Sequence, residues 1–207
     1  MKRFLCGLMA LGVLVGGARE AKAQYIFTTL DFGVALGIND SGQIVGASAL
    51  GGFLYSAGTY TPVLVPPSAI PWGINNSGQL VGFYYGTDHN EHGFLLSGGS
   101  YTTLDVPLSN VGSTAAYGIN GSGQIVGGYQ SSGVPHGFLL SAGTYSMIDF
   151  PGAGGDATAL GINAAGQIVG GYADALGGGH GFLRVTAITQ GLTRLDRPRL
   201  LPMVSTT

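Results

Sequence analysis

Gly37-Ile38-Asn39-Asp40-Ser41-Gly42-Gln43-Ile44-Val45-Gly46 reads as a tight hairpin. An apolar residue leads into Asn, and two small polar residues and a Gly follow. Gln then opens an apolar Ile-Val run. The Asn side chain closes an Asx-turn on its own backbone, and Gly takes the positive φ that ends a short hairpin. The pattern returns at Gly73-Ile74-Asn75, Gly118-Ile119-Asn120 and Gly161-Ile162-Asn163. The turn is therefore carried by Asn39, Asn75, Asn120 and Asn163, with Gly42, Gly78, Gly123 and Gly166 at the matching offset.

Working outward, each hairpin is followed by a Gly-Phe-Leu core built on Phe53, Phe94, Phe138 and Phe182, whose starts lie 41, 44 and 44 residues apart. A Ser-Ala-Gly or Ser-Gly-Gly turn and a Tyr-Thr-rich strand come next, as in Tyr101-Thr102-Thr103-Leu104-Asp105. One unit thus holds four short strands, here a to d, joined by hairpins into an antiparallel meander. The period and strand count are those of a propeller blade. Ile-Val and Leu-Leu doublets put apolar side chains on both faces, as a sheet packed between two neighbours requires. No sustained 3.6-residue apolar period follows the N-terminal run, so the chain is expected to be all-β.

Phe27-Thr28-Thr29-Leu30-Asp31-Phe32 is a strand d with no a, b or c ahead of it, and the fourth unit lacks a strand d. The expected fold is a four-bladed β-propeller closed by that N-terminal strand, which would remove the exposed edge. The alternative is an open β-solenoid-like array.

The chain begins with Lys2 and Arg3, an uncharged, mostly apolar run from Phe4 to Ala18, and Ala21-Lys22-Ala23. This is the pattern of a secretory signal peptide over residues 1–23, cleaved after Ala23. Residues 24–185 form the β-repeat domain and 186–207 a tail of open structure. Location outside the cytoplasm follows, secreted or periplasmic, with no integral span after cleavage. Cleavage removes Cys6 and every lysine and leaves four arginines against nine acidic residues, a net charge of −5. From Gln24 to Leu183 there is no Lys or Arg. Phosphate neutralisation needs cations, so nucleic acid is excluded as a partner. Cysteine nucleophiles and lysine Schiff bases are excluded from the mature chain.

The order G-I-N-x-x-G-Q-I-V-G, H-G-F-L-L, Y-T-x-x-D-x-P resembles the bacterial probable extracellular repeat family called HAF. Its naming motif stands here as His92-Gly93-Phe94, His136-Gly137-Phe138 and His180-Gly181-Phe182. The resemblance covers about Tyr25 to Val185. The first unit departs from it, with Gly51 for His and Leu64 for the strand-d Asp. The family implies an exported protein and carries no established activity.

Recognition on a rigid scaffold resides in variable loops, here the b–c and d–a connections, which emerge on one edge of the blades. Trp72, Tyr84, Tyr85 and Tyr129 are candidate platforms for a glycan or a peptide. His89, Glu91 and His92 form the one unrepeated polar cluster of the body, a weak candidate for zinc; no metal and no cofactor is expected. Asp31, Asp105 and Asp149 recur with the scaffold and read as strand-end hydrogen bonders. The expected function is an exported non-enzymatic interaction module for a neutral or cationic partner. The alternatives are a structural cell-surface or matrix component, and a glycan hydrolase using unrepeated carboxylates such as Asp88, Glu91, Asp156 or Asp174.

Overall fold

The computed structural model describes residues 26–30, 32–64, 66–107, 113–151 and 156–185. The signal-peptide reading and the tail 186–207 fall outside them. The chain divides into two compact units, Met1–Leu30 and Asp31–Thr207. In the first, residues 26–30 form neither strand nor helix and are mostly exposed. The second carries fifteen strands and no helix among the described residues.

Blade 1 is β1 (Val34–Ile38), β2 (Ile44–Ser48), β3 (Gly51–Ser56) and β4 (Thr59–Pro62). Blade 2 is β5 (Ile70–Ile74), β6 (Leu80–Tyr85), β7 (Glu91–Ser97) and β8 (Ser100–Leu104). Blade 3 is β9 (Thr114–Ile119), β10 (Ile125–Ser131), β11 (Val134–Ser141) and β12 (Thr144–Ile148). Blade 4 is β13 (Ala157–Ile162), β14 (Ile168–Ala173) and β15 (Gly179–Arg184). Each sheet is an antiparallel meander in chain order, and the four follow one another as the blades of a four-bladed β-propeller. The expected fold class is what the chain adopts.

The seam differs from expectation. The fourth sheet holds three strands, and residues 26–30 supply no fourth. Each blade packs on the next through its first strand, β1 and β2 on β5, β5 and β6 on β9, β9 and β10 on β13. Among the described residues no comparable packing joins the strands of blade 4 to those of blade 1. The expected N-terminal strand is not formed among the described residues.

The G-I-N-x-x-G turn does two jobs at once. Within blade 2, the Asn75 side-chain oxygen accepts from the backbone N–H groups of Ser77 at 3.1 Å and Gln79 at 3.0 Å. Its amide donates to Gln79 Oε1 at 2.8 Å and to the carbonyl of Asn120 in the next blade at 3.1 Å. Asn39 reaches Asn75 and Asn120 reaches Asn163 in the same way, each at 3.1 Å. Gly42, Gly78, Gly123 and Gly166 hold φ between 73° and 75°, as the turn requires.

The glycine of G-I-N sets the spacing between blades. A Cβ on Gly37 would lie 2.6 Å from the Trp72 carbonyl and 3.3 Å from the Gly73 Cα. One on Gly118 would lie 3.3 Å from the Gly161 Cα. Backbone thus meets backbone where the first strands cross. Ahead of that glycine each first strand bulges, at Leu36, Trp72, Tyr117 and Leu160, where the pairing register slips by one residue.

Three apolar cores fill the gaps between blades. Val45 and Val63 meet Ala69, Ile74 and Leu80; Val81 and Leu104 meet Ala116, Ile119 and Ile125; Val126 and Ile148 meet Ala159 and Ile168. Phe53, Phe94 and Phe138 are fully buried, and Phe182 is half-buried in the last blade. The glycine closing Q-I-V-G makes room for these rings: a Cβ on Gly46 would approach the Phe53 ring to 2.8 Å and one on Gly127 the Phe138 ring to 2.6 Å. Among the described residues no helix is long and apolar enough to cross a membrane.

Asn120→Ala removes both turn closures and the inter-blade bond, so it is expected to cost about 2–3 kcal/mol. Asn163→Ala removes the turn closures alone, since Asn163 makes no inter-blade donation, and should cost about 1 kcal/mol less. Urea unfolding midpoints of the two variants check the difference, and equal losses would mean that the inter-blade bond contributes nothing.

Candidate functional site

The edge that carries the b–c and d–a connections holds one repeated constellation. The second strand of a blade carries Tyr near its end and the third carries His near its start, and register places them opposite each other as Tyr84 and His92, Tyr129 and His136, Tyr172 and His180. The rings stack at 5.4, 5.3 and 5.1 Å. In blades 2 and 3 an Asp follows the fourth strand beside the same imidazole. His92 Nδ1 lies 3.0 Å from Asp105, and His136 Nδ1 lies 3.1 Å from Asp149. The recurring His and the recurring Asp are thus two halves of one contact. Asp31, the N-terminal copy, lies outside the described residues.

The b–c loops of blades 2 and 4 add a second carboxylate. Asp88 meets His92 Nε2 at 3.1 Å, and Asp174 meets His180 Nε2 at 2.8 Å. His92 is therefore held between Asp88 and Asp105 on its two nitrogens. An ionised carboxylate only accepts, so bonding on both sides at once requires the imidazolium. Partial burial would lower the His92 pKa, and the hydrogen bonds and charge of Asp88 and Asp105 outweigh it and raise it above the ordinary 6.5. The Asn90 side-chain amide, then the His92 ring and the Asn90 backbone N–H, hold Asp88 at about 2. Asp174 is likewise held down, by His180 first and then by the backbone N–H groups of Gly178 and Leu176.

These bonds decide the fate of the candidate residues. With both ring nitrogens occupied, His92 has no lone pair for a metal. Glu91 accepts from the Tyr85 hydroxyl at 3.0 Å, which raises the Tyr85 pKa. His89 sits in the loop turn at φ 64°. The weak zinc candidate of His89, Glu91 and His92 is not assembled, and no group of three such side chains suited to a metal occurs among the described residues. Trp72 packs between blades, edge-on to Tyr117 at 5.2 Å, with its Nε1 buried and unpartnered. Tyr129 is buried in an inter-blade core, and the Tyr84 hydroxyl meets Thr103 at 3.1 Å. Asp88 and Glu91 lie on blade 2, Asp156 and Asp174 beside and on blade 4. Of the aromatic candidates, Tyr85 is the one left well exposed, at 54%.

Blade 1 lacks the constellation entirely. Ser48, Gly51 and Leu64 stand where the other blades carry Tyr, His and Asp. Ser48 folds back on its own two-residue turn, donating to the Gly51 carbonyl and accepting from the Leu50 N–H, both at 3.1 Å. At the place of the missing side chains lies a groove of about 580 Å³, lined by Ala47, Leu50, Val63, Leu64, Ile70 and Tyr85 among others. Leu50 and Leu64 are exposed on it. A smaller cleft of about 140 Å³ lies between the later blades, beside Glu91, Tyr117, Tyr129 and Gln130. Sequence reading by single motifs overlooked the groove. The signal was present, because one unit departs from the repeat at three positions that the sheet brings together.

Models of known protein families match no part of this chain, and no curated protein matches it significantly.

The His92 cluster makes stability depend on pH. A raised imidazole pKa contributes stability that is complete below the unfolded value and lost as pH rises through the folded value. The lowered Asp88 acts at the other end, contributing above its ordinary 3.8 and losing that contribution as pH falls toward about 2. The melting temperature is expected to fall as pH rises from about 6 to 8. His92→Asn should lower it at the acid end of that window and flatten the slope. Thermal melts of both proteins across the window check this, and parallel slopes would count against the assignment.

Proposed function

We propose that the protein is an exported, non-enzymatic binding module of HAF-repeat type. It takes a neutral ligand with an apolar face, a sugar ring or a short apolar peptide segment, in the groove between blades 1 and 2. The observation that carries the reading is the joint loss of Tyr, His and Asp from blade 1 beside a groove of about 580 Å³. That size falls within the range of small-ligand sites, and an apolar lining with a few polar groups is their usual make-up. Tyr85 supplies an exposed aromatic face with a hydroxyl held by Glu91, which suits stacking on a sugar or an apolar side chain. A repeat body free of Lys and Arg up to Leu183 favours neutral over anionic ligands.

Export rests on the N-terminal signal pattern and on the resemblance to an extracellular repeat family. In a thiol-free mature chain, stability comes from packing and from the Asn-linked turns, as a location outside the reducing cytoplasm permits.

Thermal melts against a panel of neutral glycans and apolar peptides provide the test, because a ligand that binds the folded state alone raises the melting temperature. Tyr85→Ala is expected to weaken the selected ligand by about tenfold, the worth of one aromatic contact. Leu64→Asp should abolish binding by placing a charge in the groove, while Tyr101→Ala, on β8 outside it, should leave binding unchanged. A ligand shift that survives Leu64→Asp, or no shift from any neutral ligand, would reject the groove as the site.

A further inference from the structure

The three inter-blade cores follow one formula. One blade contributes the Val of its second strand and an apolar residue at the end of its fourth. The next blade contributes a small residue on or just before its first strand, the Ile of G-I-N and the first residue of its second strand. The ends of the array present the two halves of that formula unmatched. On blade 1, Ile38 is 67% exposed where Ile74 and Ile119 are 7% and 8%. Ala35 is exposed where Ala116 and Ala159 are buried. On blade 4, Val169 is 49% exposed where Val45, Val81 and Val126 are all 0%. Leu183 is 62% exposed, though its counterparts Leu54, Leu95 and Leu139 are half-buried against the cores.

The polar link is interrupted in the matching sense. Asn39, Asn75 and Asn120 each donate to the Asn carbonyl of the following blade. Asn163 keeps its bond to Gln167 and has no following blade to donate to. The Asn39 carbonyl accepts from Gly42 and receives no Asn amide from a preceding blade. One end thus offers a donor and a Val-Leu face, and the other an acceptor and an Ala-Ile face. These are the two sides of an interface that the chain already builds three times.

We propose that the occupant of each end is a second copy of this chain, with blade 4 of one copy packed on blade 1 of the other. Val169 and Leu183 then bury against Ala35 and Ile38, and Asn163 donates to the Asn39 carbonyl across the interface. Such a contact joins unlike faces, so it closes into a ring when the rotation per copy allows and otherwise extends into a filament. The pairing is independent of what occupies the groove.

Light scattering of the full chain across a concentration series tests this. The expected mass is at least twice that of one copy. Ile38→Asp and Val169→Asp, both at exposed positions and checked for native circular dichroism, should each reduce the mass to a single copy. Each removes one half of every interface. Mixing the two variants should restore a two-copy species, since each supplies the face that the other lacks; Ile38→Ser and Val169→Ser serve if a charge disturbs the fold. A single-copy mass for the unaltered protein at every concentration, including one that arises from closure within the chain, overturns the proposal. So does assembly unaffected by either substitution, or a mixture that does not pair.

Discussion

The structure depends on one close approach, that of the first strand of each blade to the first strand of the next at the glycine of G-I-N. Gly73 sits where a side chain would press on the Tyr117 carbonyl and the Gly118 Cα. With no Cβ in the way, the neighbouring Asn is close enough to donate across the gap, as Asn75 does to the carbonyl of Asn120. The same Asn closes its own hairpin, so turn formation and blade stacking share one side chain. A buried amide with every donor and acceptor satisfied is costly to disturb. This accounts for how a repeat with few charged residues and no disulfide keeps its blades in register.

That linkage leaves the opposite edge of each blade free to vary. Tyr, His and Asp meet there in blades 2 and 3 because the second, third and fourth strands of a meander end side by side. In blade 2 the imidazole is bonded on both of its nitrogens, to Asp105 and to Asp88, within the blade. Blade 1 has given up all three side chains, and the adjoining space is open and apolar. In a repeat protein, the unit that departs from the pattern marks a place where packing no longer dictates the residue.

The ends of the array follow from the same economy. Each blade buries one face against its predecessor and the other against its successor, so any array that does not close leaves one face of each kind exposed. The exposure of Ile38 and Val169 is therefore a consequence of architecture rather than of local sequence. Both residues have the identity and position of their buried counterparts.

Much of this was legible in the amino-acid order. The Asn and Gly of the turn, the four-strand period and the apolar doublets each impose a local backbone or burial requirement, and a local requirement is visible in consecutive residues. The lack of Lys and Arg between Gln24 and Leu183 is likewise read without reference to shape. The sequence did not reveal that His92 and Asp105 form one contact, that His89 and Glu91 stand apart from that ring, or that Ser48, Gly51 and Leu64 border a single groove. These depend on which strand ends lie together, a property of sheet register. Nor does a spare strand d in a sequence by itself decide closure. Whether the ring shuts depends on the angle accumulated from blade to blade, which packing at the G-I-N glycines sets and which no single repeat encodes.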